Sequence, residues 1–241
     1  GTKIIKEELR KTAKTKGKYT VNAVGLESLG LEWIVNSLKP GGKTFVVIPD
    51  GILGRVVPGS KRLRKFILDN CYLDAIVSLP VRAFFANYEH TYIIALTKKD
   101  SLSARQDFPV FTYLVSNIGE RLTSVKREAI DDNDLPEMIR LFKTYSASKS
   151  TAKDYVAPLS RRCKIFSFET FEKGDHWVID RWWTEEEKIE IGMFEAPHTV
   201  TKNELDQAIS DFQVSLSEYE AFAEKLSKVF LSLPINLWEI R

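Results

Sequence analysis

The chain is short of the residues on which several function classes depend. Its 241 residues include 2 cysteines, Cys71 and Cys163, and 3 histidines, His90, His176 and His198. None of them falls at metal-ligand spacing, and lone thiols of this kind suit a reducing compartment, so the expected location is the cytoplasm. The histidines lack partners at ligand or triad spacing and read as satisfied structural side chains. No apolar run approaches the ~20 residues that cross a bilayer, which argues against a membrane. The opening stretch GTKIIKEELRKTAKTKGKYT lacks the apolar core of a secretory signal. Charge of one sign is also wanting: 35 basic against 33 acidic residues leave +2, too little to argue for nucleic acid by itself. No glycine fingerprint is present to support a Rossmann-like enzyme with a cofactor loop of its own.

What remains is an α/β pattern organised around LEWIVNSLKPGGKTFVVIPDGILG. Leu31, Ile34, Val35 and Leu38 recur at the spacing of one helix face. Pro40, Gly41 and Gly42 stop that helix, because proline removes a donor and glycine reaches the left-handed conformation of helix ends. TFVVIP is then a continuous apolar run, as expected of a parallel strand covered on both faces. In open α/β sheets ligands sit beyond the carboxyl ends of strands, which puts the turn Pro49, Asp50 and Gly51 at the working edge. Turn chemistry alone also explains Pro-Asp-Gly.

A second amphipathic helix is predicted over Ser60 to Cys71, with Leu63, Phe66 and Ile67 inward and Lys61, Arg62, Arg64 and Lys65 outward. YLDAIVSL at 72–79 and TYIIALTKK at 91–99 read as strands, joined by the long, aromatic loop LPVRAFFANYEH. DFPVFTYLV at 107–115 suits an edge strand because of Pro109. A helix follows from Leu135 to Tyr145, then YSASKSTAKDY as a linker. RRCKIFSFETFEKGDHWVIDRWW is strand-like and aromatic. The last helix opens on the capping pattern Thr201-Lys-Asn-Glu204. In it Leu205, Ile209, Phe212, Leu216, Tyr219, Ala223, Leu226 and Phe230 form a heptad seam. The expected organisation is a basic loop over 1–25, an α/β portion over 26–115, helix and linker over 116–160, and an aromatic-rich region over 161–241.

As an ordered set, these segments resemble the modification (M) subunits of type I restriction-modification systems, N-6 adenine-specific DNA methyltransferases that use S-adenosylmethionine. LKPGGKTFVVIPDGIL is similar to the family's helix, glycine turn and fifth strand, and KRLRKFILDNCYLDAIVSLP to the next helix and sixth strand. FFANYEHTYIIAL resembles the loop and seventh strand that close the family's sheet. LPEMIRLFKTY, IFSFETF and WVIDRWW resemble later segments more loosely, and the resemblance covers roughly residues 25 to 185. The family's cofactor loop and its Asn-Pro-Pro-Phe tetrapeptide are not in this sequence, and GTKIIK resembles the stretch directly after that tetrapeptide. The resemblance therefore implies the C-terminal half of a Rossmann-like methyltransferase sheet, its last strands an antiparallel pair, with a smaller α+β and helical region after it. It implies S-adenosylmethionine in the parent enzyme and none bound by this portion, which is expected to be inactive alone.

By the same resemblance the aromatic loop lines the pocket of a flipped adenine, with Phe85 preferred for stacking and Phe84 and Tyr88 beside it, against the alternative that at least one of the two phenylalanines plugs the core. Lys61, Arg62, Arg64 and Lys65 are candidates for DNA-backbone contact, against the alternative of a solvated helix face. The expected partners are DNA, the specificity subunit and the restriction subunit, together with self-association or some other cover for an exposed sheet edge. The competing reading is a non-catalytic protein-interaction module that uses the aromatic region and the last helix.

Overall fold

Helix α1, Leu26–Ser37, buries Leu31 and Val35 on the face that the periodicity predicts, and Trp33 on its other side stays exposed. Gly41, at φ 71°, turns the chain into strand β1, Lys43–Pro49. The short helix α2, Asp50–Gly54, and the longer α3, Pro58–Asn70, lead to β2, Cys71–Ser78, and β3, Thr91–Lys98. Then come β4, Val110–Leu114, and a hairpin of β5, Ile118–Leu122, with β6, Arg127–Asn133. After it lie α4, Leu135–Ala147, α5, Ala152–Tyr155, β7, Cys163–Phe166, α6, Phe168–Lys173, a 3₁₀ turn, Ile179–Trp182, and α7, Glu185–Glu190. A 31-residue helix, α8, spans Lys202–Ser232. This is a computed structural model in which residues 11, 19–21, 25–81, 83–84, 90–122, 126–194 and 202–232 are described.

The main sheet has the order β1-β3-β2-β4-β7. β3 is antiparallel to both β1 and β2, while β2 and β4 are parallel, so β1, β2 and β4 all end on one edge. On one face α1, α3 and α6 bury Leu31, Val35, Leu63, Ile67 and Phe171 against Ile48, Ile76 and Ile94. On the other, α4 brings Leu141 and Tyr145 onto Ala75, Val77, Phe111 and Tyr113. The result is a helix-flanked α/β sheet whose antiparallel β2 and β3 are joined by the aromatic loop.

Several expectations are corrected. β1 is not covered on both faces: among the described residues it pairs only with β3, and Phe45 and Val47 are 61% and 48% exposed. β4 is no edge strand, since it lies between β2 and β7 with every residue buried; Pro109 just precedes it and so costs the ladder nothing. The stretch expected as a linker is packed, because Ala152 is buried and Lys149 forms an ion pair with the buried Asp74 at a bulge in β2. A boundary near residue 160 is likewise not found, because β7 completes the sheet and the first compact unit runs Gly1–Phe194. The hairpin β5–β6 was unforeseen. Even the opening stretch contributes to the core through Val21, whose N–H donates to the buried Glu32 at 3.0 Å. The second unit is Glu195–Arg241. Its helix α8 exposes Leu205, Ile209, Phe212, Leu216, Tyr219 and Leu226 along the heptad seam, while the expected cap Thr201 lies outside the described residues.

Candidate functional site

The carboxyl ends of β1 and β2 and the start of β3 meet at one edge, and the polar side chains there form a connected group. Ser78, the last residue of β2, is fully buried, and its Oγ donates to Asp180 Oδ1 at 2.6 Å. The Tyr92 hydroxyl donates to Asp180 Oδ2 at 2.5 Å. His90 Nε2 lies 2.8 Å from Ser78 Oγ and 3.7 Å from Asp180 Oδ1. Burial, and then the charge of Asp180, hold the Tyr92 phenol well above its usual range, so its proton stays in place to be donated. Asp180 sits in the 3₁₀ turn Ile179–Trp182, which is anchored by Trp177, whose N–H donates to Leu53 O at 2.9 Å. This polar group thus joins elements far apart in sequence, and no spacing rule signals Ser78, Tyr92 or Asp180. His90, expected as a satisfied structural side chain, has Ser78 as its partner. His176 does read as structural: its Nδ1 accepts from the Val178 N–H at 3.3 Å, and burial lowers its pKa. His198 lies outside the described residues.

The predicted turn residues are at this edge. Pro49 ends β1, Asp50 is exposed and its N–H donates to His90 O at 3.0 Å, and Gly51 lies within α2. Phe84 is 43% exposed just after Ala83, whose carbonyl accepts from Arg127 Nη2 at 2.7 Å, so hairpin β5–β6 braces the start of the loop. Phe85 and Tyr88 lie outside the described residues. A cavity of about 210 Å³ opens where the loop leaves β2, between Pro80, Val81 and Ala83 on one side and Asn117, Arg121 and Ile130 on the other.

The basic residues of α3 separate into different roles. Arg64 is 4% exposed and donates to the carbonyls of Ile52, Arg55 and Asp175 at 3.0, 3.1 and 2.7 Å. It pins α2 and the Asp175 turn to α3, and its expected DNA-backbone contact is corrected. Helix periodicity missed this because the long Arg stem buries while its fork saturates carbonyls. Lys61 pairs with Asp175 at 2.6 Å and Lys65 with Asp69 at 3.1 Å, all exposed. Arg62 Nε donates to Val21 O at 3.1 Å.

The N-6 DNA Methylase family model matches residues 7–176 of the 241, more than half of the chain. The chain belongs to that family. It is 32% identical over 77 residues to the methylase subunit of the type I restriction enzyme EcoKI of Escherichia coli K12, a stretch that covers 32% of this chain and 14% of that protein. The StySJI methylase subunit of Salmonella typhimurium gives the same figures. The matched stretch is thus a small part of these relatives' length. A solved structure titled for complex assembly and conformational transition of the type I R-M system aligns with a TM-score of 0.53 at 18% identity, over 90% of this chain and 42% of that one. At that identity the likeness concerns the fold.

Among the described residues the left-handed glycines are Gly25 before α1, Gly41 at the opposite end of β1, Gly119 in the hairpin and Gly192 after α7. None of these four lies between the carboxyl end of a described strand and a following helix, whereas Gly51 falls in helix α2 directly after β1.

Proposed function

We propose that this N-6 DNA Methylase chain forms one wall of the cleft in which an adenine-specific DNA methyltransferase of a type I restriction-modification system holds its flipped target base. One observation supports this most: the aromatic loop leaves β2 and re-enters β3 at the carboxyl edge of a methylase-family sheet, with Phe84 exposed and a cavity lined by Pro80, Val81 and Ala83 where the loop begins. A base lifted out of a duplex needs stacking partners, and one aromatic contact contributes ~1–3 kcal/mol. Phe85 is the preferred stacking residue, with Phe84 and Tyr88 flanking it. Lys61 and Lys65, both exposed on α3, are placed to add salt-dependent contacts to phosphate. The Asn-Pro-Pro-Phe chemistry and the methyl donor come from polypeptide other than this sequence, so the chain turns nothing over alone.

The remaining partner roles go to two surfaces. The exposed seam of α8 docks the specificity subunit, which in turn bridges to the restriction subunit, and the open face of β1 takes a second copy of the chain. The same seam is what favours the second reading, a non-catalytic interaction module.

Two titrations test the proposal. Calorimetry with S-adenosylmethionine is expected to show no micromolar binding, and a micromolar site overturns the division of labour. Fluorescence anisotropy with a duplex carrying one extrahelical adenine is expected to show tighter binding than to a fully paired duplex. Phe85→Ala is expected to lose most of that preference and Phe84→Ala less. Equal binding of both duplexes favours the interaction module.

A further inference from the structure

We infer that Arg127, at the start of β6, is a positioning residue for the target base: it fixes the peptide plane between Ala83 and Phe84, and with it the direction in which Phe84 is presented. This rests on the reading of the chain as a base-holding wall. Arg127 Nη2 donates to Ala83 O at 2.7 Å, across 44 residues of sequence. Its Nη1 donates to Glu120 Oε2 on β5 at 2.6 Å. The two bonds leave from separate nitrogens of one planar group, so the Glu120 carboxylate orients the fork and the fork sets the carbonyl. A peptide unit is itself planar. Holding the Ala83 carbonyl therefore holds the Phe84 nitrogen in the same plane.

The start of the loop is anchored in steps. The Leu79 N–H donates to Thr91 O at 3.0 Å and closes the ladder, and the Ala83 N–H donates to Pro80 O at 3.1 Å and closes a turn. Both bonds are internal to the loop and its stems, whereas Arg127 ties that turn to a separate two-stranded sheet. Phe84 comes directly after the tie. Ala83 is buried and Phe84 exposed, so the chain passes there from a held residue to an aromatic offered to solvent. Both partners of Arg127, Ala83 and Glu120, also line the cavity where the loop begins. A lone hairpin is marginal in water, but this one is fastened at its base. There the Ser116 and Asn117 N–H groups donate to Asp134 Oδ2 at 2.7 and 2.9 Å, and Arg162 pairs with the same oxygen at 3.3 Å. Losing Arg127 thus removes the tie to the loop while the base of the hairpin keeps its own bonds.

The test keeps the charge and removes the geometry. In Arg127→Lys a single ammonium replaces the two nitrogens that reach Glu120 and Ala83. The probes are a duplex with one extrahelical adenine and the same duplex fully paired, titrated against the full chain. R127K is expected to lose about fivefold of the preference for the extrahelical base, the low end of what one stacked base contributes, with an unchanged urea midpoint. Arg127→Gln is expected to match it and serves where R127K shows a lowered midpoint. Lys126→Ala takes a charge from the neighbouring residue and is expected to leave the ratio of the two affinities unchanged, because a phosphate contact does not distinguish the probes. In a Phe84→Ala background R127K is expected to change the ratio no further, since both substitutions act on one presentation. Without DNA, the Phe84 amide resonance should move in R127K by more than the amides of β2 and β3.

An equal fall of the ratio in K126A, a loss that adds to that of F84A, or an unmoved Phe84 amide overturns the inference. If R127K keeps the unmodified chain's preference for the extrahelical base, the role of Arg127 falls and the base-holding wall stands. If the unmodified chain binds both duplexes alike, the wall falls and the inference with it.

Discussion

β1 and β2 read alike as sequence and are treated differently by the fold. TFVVIP and YLDAIVSL are both short apolar runs rich in β-branched residues. β2 lies in mid-sheet and is closed on both faces; β1 is an edge, closed on the α1 and α3 side and open where Phe45 and Val47 face solvent. A continuous apolar run states that both faces are meant to be covered, but not by what. The contrast locates the part of this sheet whose surface suits another chain.

The largest expected effect lies in the closed strand. Ile76→Ala in β2, at a fully buried position, should cost ~3–4 kcal/mol, read as a lowered urea midpoint. A loss below ~1 kcal/mol would show that β2 is not sealed. Next comes the cover itself. Arg64→Ala should cost ~2–3 kcal/mol because the carbonyls of Ile52, Arg55 and Asp175 lose their donor, whereas Lys65→Ala on the same helix should stay within ~0.5 kcal/mol.

A third effect depends on pH. Burial pushes the Cys71 thiol at the start of β2 up to about 11 and Cys163 up to about 12. In the unfolded chain thiols ionise near ~8.5, so above that pH the unfolded state binds fewer protons and stability falls as pH rises. Each thiol should contribute a slope of ~1.4 kcal/mol per pH unit between about 9 and its folded value. Urea midpoints measured across that window, with Cys71→Ala flattening the slope by about one proton, check it. A slope unchanged in that variant would mean Cys71 is not sealed.

The smallest stability effect belongs to the open face. Val47→Lys should change stability by under ~0.5 kcal/mol and yet abolish concentration-dependent self-association in light scattering. A large loss of stability would mean that Val47 is already covered, and an unchanged oligomer would place the contact elsewhere.

Much of the fold was legible because local rules governed it. The Leu31 and Val35 face, the Gly41 stop, and the run of strand, aromatic loop and strand all follow from periodicity and turn chemistry within short windows. The failures came where a remote partner decided. Pro109 suggested an edge, yet β7, from more than fifty residues downstream, pairs with β4 just beyond it. The linker-like stretch is held by Lys149 on an aspartate 75 residues away. Arg64 read as surface until the carbonyls it saturates were brought to it.

Neighbours along the chain are enough to set the alternation of helices and strands, the order of the methylase-like segments and the aromatic loop between β2 and β3. Tertiary contacts were needed to settle which face of β1 stays open, that Arg64 lies inside, and that Ser78, His90, Tyr92 and Asp180 share protons. The proton-sharing group brings residues 12 to 102 positions apart within hydrogen-bond reach, and no local pattern encodes that distance.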